Sequence, residues 1–125
     1  MNVFLCSDIN RTFREDMEGR NIPNTTVTSD LAVALKLASE GKLERVCIAF
    51  VCSWSLTNMI EGGWEACRRI HSVNPNIPIM IWNGRDDVEW LSNEVVVSNS
   101  NLSWEETLDY TERYLRGEMV NAGKP

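Results

Sequence analysis

The run Val46-Cys47-Ile48-Ala49-Phe50-Val51 constrains this chain more than any other segment. It is apolar without alternation, the pattern of a strand covered on both faces, and such strands belong to parallel sheets packed between helices. A strand with one wet face would alternate. The run therefore predicts an α/β fold in which helical segments lie on two sides of a sheet.

The flanking sequence supplies those helices. Val3-Phe4-Leu5-Cys6 reads as a first strand ending in Ser7-Asp8, and Phe13 and Met17, four apart among charged residues, mark a helix after it. Gly19 and the Asn21-Ile22-Pro23-Asn24 cluster predict a turn, and the β-branched stretch Thr25 to Thr28 a second strand. Ser29-Asp30 supplies a cap for a helix from Leu31 to Ser39 that stops at Gly41. Beyond the central run and a loop through Trp54 to Asn58, the apolar positions Trp64, Cys67, Ile70 and Val73 recur every three residues. They predict one buried helix face with Arg68 and Arg69 turned outward, ending at Asn74-Pro75.

Ile77 to Trp82 is the fourth predicted strand, with Pro78 near its start, and Asn83-Gly84-Arg85 leads into a short helical turn over Asp86 to Leu91. Glu94 to Val97 is a fifth, at an edge. Ser103 with Glu106 three positions on forms a capping box for a last helix whose face carries Trp104, Leu108, Thr111 and Leu115. Five strands alternating with five helical segments predict a three-layer αβα sandwich around a five-stranded parallel sheet. One domain is expected over residues 1–117, with 118–125 as a flexible C-terminal tail.

Twelve Lys and Arg against eighteen Asp and Glu give a formal net charge of −6, with no run of like charges. No affinity for nucleic acid or for anionic membrane is expected of that balance. The longest apolar stretch, Val46 to Cys52, is too short to span a bilayer, and the first residues lack the order of a signal peptide, so a cytoplasmic protein is expected. Cys6, Cys47, Cys52 and Cys67 fall in apolar segments without C-x-x-C spacing; buried free thiols are expected, with no metal and no cofactor.

The stretch GGWEACRRIHSVNPNIPIMIWNGR, Gly62 to Arg85, resembles the third helix, Asn-Pro turn and fourth strand of the receiver domain of bacterial response regulators. The resemblance implies the flavodoxin-like, receiver-like fold. It also implies a site at the carboxyl ends of the strands, where two acidic residues hold Mg²⁺, an Asp takes a phosphoryl group, and a Ser or Thr and a Lys assist. This sequence departs from that pattern. Ser7-Asp8 keeps one carboxylate of the metal pair, no Asp or Glu occurs between Arg45 and Ile60, Asn83 stands in place of Ser or Thr, and Val95 to Ser103 contains no Lys.

What remains at the strand ends is polar and nearly uncharged. Ser7, Asp8, Ser53, Asn83 and Ser98 form a candidate ligand pocket, or else serve as turn and cap residues. His71, the single histidine, has no nucleophile placed beside it and reads as a solvated helix-end residue. The Gly62-Gly63 pair lacks the Walker lysine, and Asp86-Asp87 suits a helix cap. Among five tryptophans, Trp90 and Trp104, with Tyr110, are candidate interface residues. The resulting expectation is a phosphorylation-independent pseudo-receiver in signalling, not an enzyme, that acts through a homodimer or another protein partner. The alternative is a module binding a nucleotide or phosphorylated metabolite at the strand ends.

Overall fold

The structure, a computed structural model, describes residues 1–7, 11–49, 63–82, 95–98 and 103–118. Strands β1 (Asn2–Leu5), β2 (Thr25–Thr28), β3 (Arg45–Ala49), β4 (Ile79–Trp82) and β5 (Val95–Ser98) form one sheet in the order β2-β1-β3-β4-β5. All four pairings are parallel. The described helices are α1 (Arg11–Gly19), α2 (Leu31–Ser39), α3 (Gly63–Val73) and α4 (Trp104–Leu115). The helical turn expected over 86–91 lies outside the described residues, as do Phe50 and Val51 and the tail from 119 onward.

The unbroken apolar run in β3 is explained by two cores. Val46 and Ile48 point to one face, where Val3, Leu5, Ile79 and Ile81 meet Leu31, Ala34 and Ala38 of α2 and Ala66, Cys67 and Ile70 of α3. Cys47 and Ala49 point to the other, where Phe4, Met80 and Trp82 meet Phe13 and Met17 of α1 and Leu108, Tyr110, Tyr114 and Leu115 of α4. Each fully buried large side chain here contributes about 1.5–3 kcal/mol over its exposed state. Because both faces are dry, alternation has no purpose.

Local signals set the boundaries. Asp30 caps α2 by accepting from the Ala32 amide, and Asn21 and Asn24 take positive φ angles of 50° and 56° in the turn before β2. Gly41, at φ 71°, ends α2 in a Schellman motif: its N–H donates to Ala38 and that of Lys42 to Leu37. Gly117 ends α4 in the same way, with Glu118 donating to Arg113. The Pro78 carbonyl accepts from Val46, so the proline starts β4 without costing the sheet a donor it needs.

One expectation about a helix face fails. Val73 is 45% exposed although it continues the three-residue spacing of Cys67 and Ile70. An α-helix advances about 100° per residue, so each step of three slips about 60° around the axis. By residue 73 the series has left the buried face, and Ala66 fills it instead.

Candidate functional site

In an open parallel sheet the carboxyl ends of the strands gather loops at one edge, and that edge is the default place for a site. The register aligns it closely: Thr28 and Ile48 lie beside Leu5, Ala49 beside Trp82, and Trp82 beside Ser98. Ser7 follows β1 into this edge and is 2% exposed, so its hydroxyl belongs to the interior of the edge. Ser98 is the last residue of β5. The structure thus brings two of the five candidate pocket positions to one end of the sheet. Asp8, Ser53 and Asn83 lie outside the described residues.

The described chemistry behind this edge is apolar and protonated. Burial pushes the Cys47 thiol well above its ordinary value, the adjacent Cys6 adds to the shift, and the Trp82 indole opposes it. Burial likewise pushes Cys67 up to about 12, against the opposing charge of Arg68. Thiols held protonated in this way are poor nucleophiles and poor metal ligands. Among the described residues no group of three or more His, Cys, Asp or Glu is placed to hold a metal ion.

Trp82 has a role that the sequence reading missed. It closes β4, is 2% exposed, and donates its indole N–H to Thr111 Oγ1 at 2.8 Å. Thr111 passes its own hydroxyl proton to the Thr107 carbonyl at 2.7 Å, so the buried chain of donors ends on helix backbone. Tyr110 meets Trp82 edge-on, with centroids 5.6 Å apart and planes at 77°. The end of β4 is thereby joined to the middle of α4. The only trace in the sequence is a Trp closing the apolar run Ile79 to Trp82.

The two described candidate interface aromatics, Trp104 and Tyr110, do not share a surface. Tyr110 is 8% exposed because its ring fills the space against Trp82, and its hydroxyl is buried with no hydrogen-bond partner among the described residues. Burial pushes that phenol above its ordinary value, with Arg113 opposing. Trp104 is 40% exposed, yet it faces α1: its ring stands edge-on to Phe13 at 4.9 Å and its indole N–H donates to Asp16 Oδ2 at 2.8 Å. Six residues of helix separate the two by about a third of a turn. Trp90 lies outside the described residues.

Beside Trp104, Arg20 binds three carboxylates of α4. It reaches Asp109 at 2.6 Å, Glu112 at 3.0 Å and Glu105 at 3.0 Å. Hydrogen bonding to Asp109 raises the Arg20 pKa further, so the guanidinium is a permanent charge. This cluster fastens α1 to α4.

Among solved structures, the chain is similar to the crystal structure of a response regulator receiver protein from Sinorhizobium medicae WSM419. The TM-score is 0.59 at 16% sequence identity, with 94% of each chain covered. No family model matches the chain, and no curated protein matches it. At that identity the likeness carries the fold: this is an α/β protein with a receiver-like arrangement of parallel sheet and helices.

Proposed function

We propose that this protein is a phosphorylation-independent pseudo-receiver, a signalling module that is not an enzyme and whose output is contact with another protein chain. The observation that carries the reading is the absence of Asp and Glu from Arg45 through Ile60. β3 ends at Ala49, so the positions that directly follow it, Phe50 to Ile60, fall within that window, and the nearest carboxylate after it is Glu61. A phosphoryl group transferred there has no carboxylate to accept it. The loss of one of two metal carboxylates at Ser7-Asp8, and of any Lys between Val95 and Ser103, removes the charges that would stabilise the transfer.

The test is incubation with Mg²⁺ and a small-molecule phosphodonor, followed by intact-mass measurement, alongside titration with beryllofluoride monitored by tryptophan fluorescence. No adduct and no spectral change are expected. Stoichiometric labelling at one residue overturns the reading.

A further inference from the structure

We propose that the free edge of β2 is a self-association seam, at which two copies pair β2 with β2 antiparallel about a two-fold axis and join their sheets into one. The proposal deepens the reading above, on which it rests for contact as the output.

β2 is one edge of the sheet, and its residues Thr25, Thr26, Val27 and Thr28 are all half-buried and uncharged. β1 donates from Asn2 to the Asn24 carbonyl and from Cys6 to the Thr28 carbonyl. The even-numbered residues therefore turn their peptide groups toward β1, and those of Thr25 and Val27 point out from the edge. Neither has an outward backbone partner among the described residues. Natural sheets blunt such edges with charge, proline, bulges or a covering segment. Within β2 there is no charge, no proline and no break in the register.

Apolar side chains continue from this edge on the α2 side. On one side lies α2, Leu-Ala-Val-Ala-Leu-Lys-Leu-Ala-Ser, with Lys36 as its single charge. A helix apolar nearly all round belongs in an interior. Leu31, Ala34 and Ala38 face the sheet. The right-handed crossover from β2 to β3 sets α2 over β1 with α3 on one flank only. At 100° per residue, Leu35 then turns toward α3, while Val33 and Leu37 turn the opposite way, over β2, where both are half-buried and Leu37 packs in part against the core. Met1 is 39% exposed on this side, its sulfur 3.2 Å from Thr26 Oγ1. On the other side, an open and mostly polar cleft of about 340 Å³ runs between the end of α1 and β2, lined by Met17, Glu18, Asn21, Ile22, Thr25 and Val27.

A second copy fits this surface better than a lone extended peptide. A single strand satisfies the outward peptide groups but adds no cover to Val33 or to the outer side of Leu37. A second copy brings its own α2 to the same side, apolar against apolar, as an isologous contact requires. With the axis at Thr26, Thr25 exchanges N–H and C=O with Val27 of the second copy, and the two Thr26 side chains face each other across a non-hydrogen-bonded pair.

Sedimentation velocity over a concentration series, from low micromolar to near millimolar, tests the seam. The wild type is expected to shift from monomer to dimer, with Thr25 and Val27 amide exchange slowing as the dimer forms and Thr26 and Thr28 exchange unchanged. Thr26→Lys and Thr26→Glu each set like charges at the axis and are expected to weaken the dimer about tenfold or more, at unchanged melting temperature of the monomer. An equimolar mixture of the two variants is expected to restore it. A wild type that stays monomeric, a dimer indifferent to both substitutions, or protection of Thr25 and Val27 only by a strand from a different protein overturns the proposal. A monomer that takes no phosphoryl label fails the seam alone; a labelled protein with an intact seam fails the pseudo-receiver reading alone.

Discussion

Trp82 and Thr111 show how a residue can decide local stability without belonging to a recognisable motif. The indole N–H is buried, and its acceptor lies 29 positions away on another element. Replacing Thr111 with Val keeps the shape and removes the acceptor, which leaves a buried donor unpaired. The expected loss is about 1–3 kcal/mol, seen as a lower urea midpoint at unchanged slope. Thr111→Ser, which keeps the oxygen, should retain most of the stability. No periodicity forecasts this bond, because Thr111 reads only as a member of the apolar face of α4. Tyr110 is read from the sequence as a candidate interface residue on its aromatic character, and its contact with Trp82 depends on the fold being assembled. Residues whose work is local were legible. Asp30 caps α2, and Ser103 and Glu106 exchange hydrogen bonds of 3.0 and 3.1 Å in the predicted capping box.

At the scale of elements, what was legible is what each segment must do by itself: present an apolar face, stop at a glycine, or pair as a strand. Thr25–Thr28 and Leu31–Ser39 coincide with their predicted bounds because β-branching, a cap and a left-handed glycine fix them locally. The fastening of α1 to α4 was not legible, since Arg20 and its carboxylates lie 85 to 92 positions apart. Single exposed ion pairs contribute little, typically about 0–1 kcal/mol, but here one forked side chain serves three partners. A double-mutant cycle on Arg20→Ala and Asp109→Ala is expected to give a coupling of about 0.5–1 kcal/mol that fades in molar salt. A coupling that persists in molar salt would argue that packing of the arginine stem, rather than charge, holds the helices. At the carboxyl edge, the absence of carboxylates from Arg45 to Ile60 needs no coordinates; the described candidates there are Ser98, placed by strand register, and Ser7, which follows the end of β1.

For the whole molecule, acid sensitivity among the described carboxylates comes from Glu106 and Glu112 on α4 and from Glu44, which a hydrogen bond from the N-terminal amine holds below its ordinary value. Hydrogen bonds from the Ser103 backbone and hydroxyl group hold Glu106 below its ordinary 4.5. Burial pushes Glu112 upward, but hydrogen bonds from Arg20 and Arg116 outweigh it, and the net direction is also down. A group whose folded value is depressed contributes its full stabilisation above the unfolded value and loses it as pH falls through the folded one. Stability in a pH series of denaturant melts is therefore expected to hold from neutrality down to about pH 4.5 and to decline below it, with α4 amides exchanging first. A decline beginning well above that range would point to other groups. The two-core arrangement has a further consequence for synthesis. β1 lies inside the sheet, and its Phe4, with Cys6 just after it, faces a layer that α4 completes from much later in the sequence, with Tyr114 donating to the Val46 carbonyl at 3.1 Å. Until α4 has been synthesised, a greasy half-layer of nascent protein lacks its cover, and chaperones that recognise such surfaces have their window then.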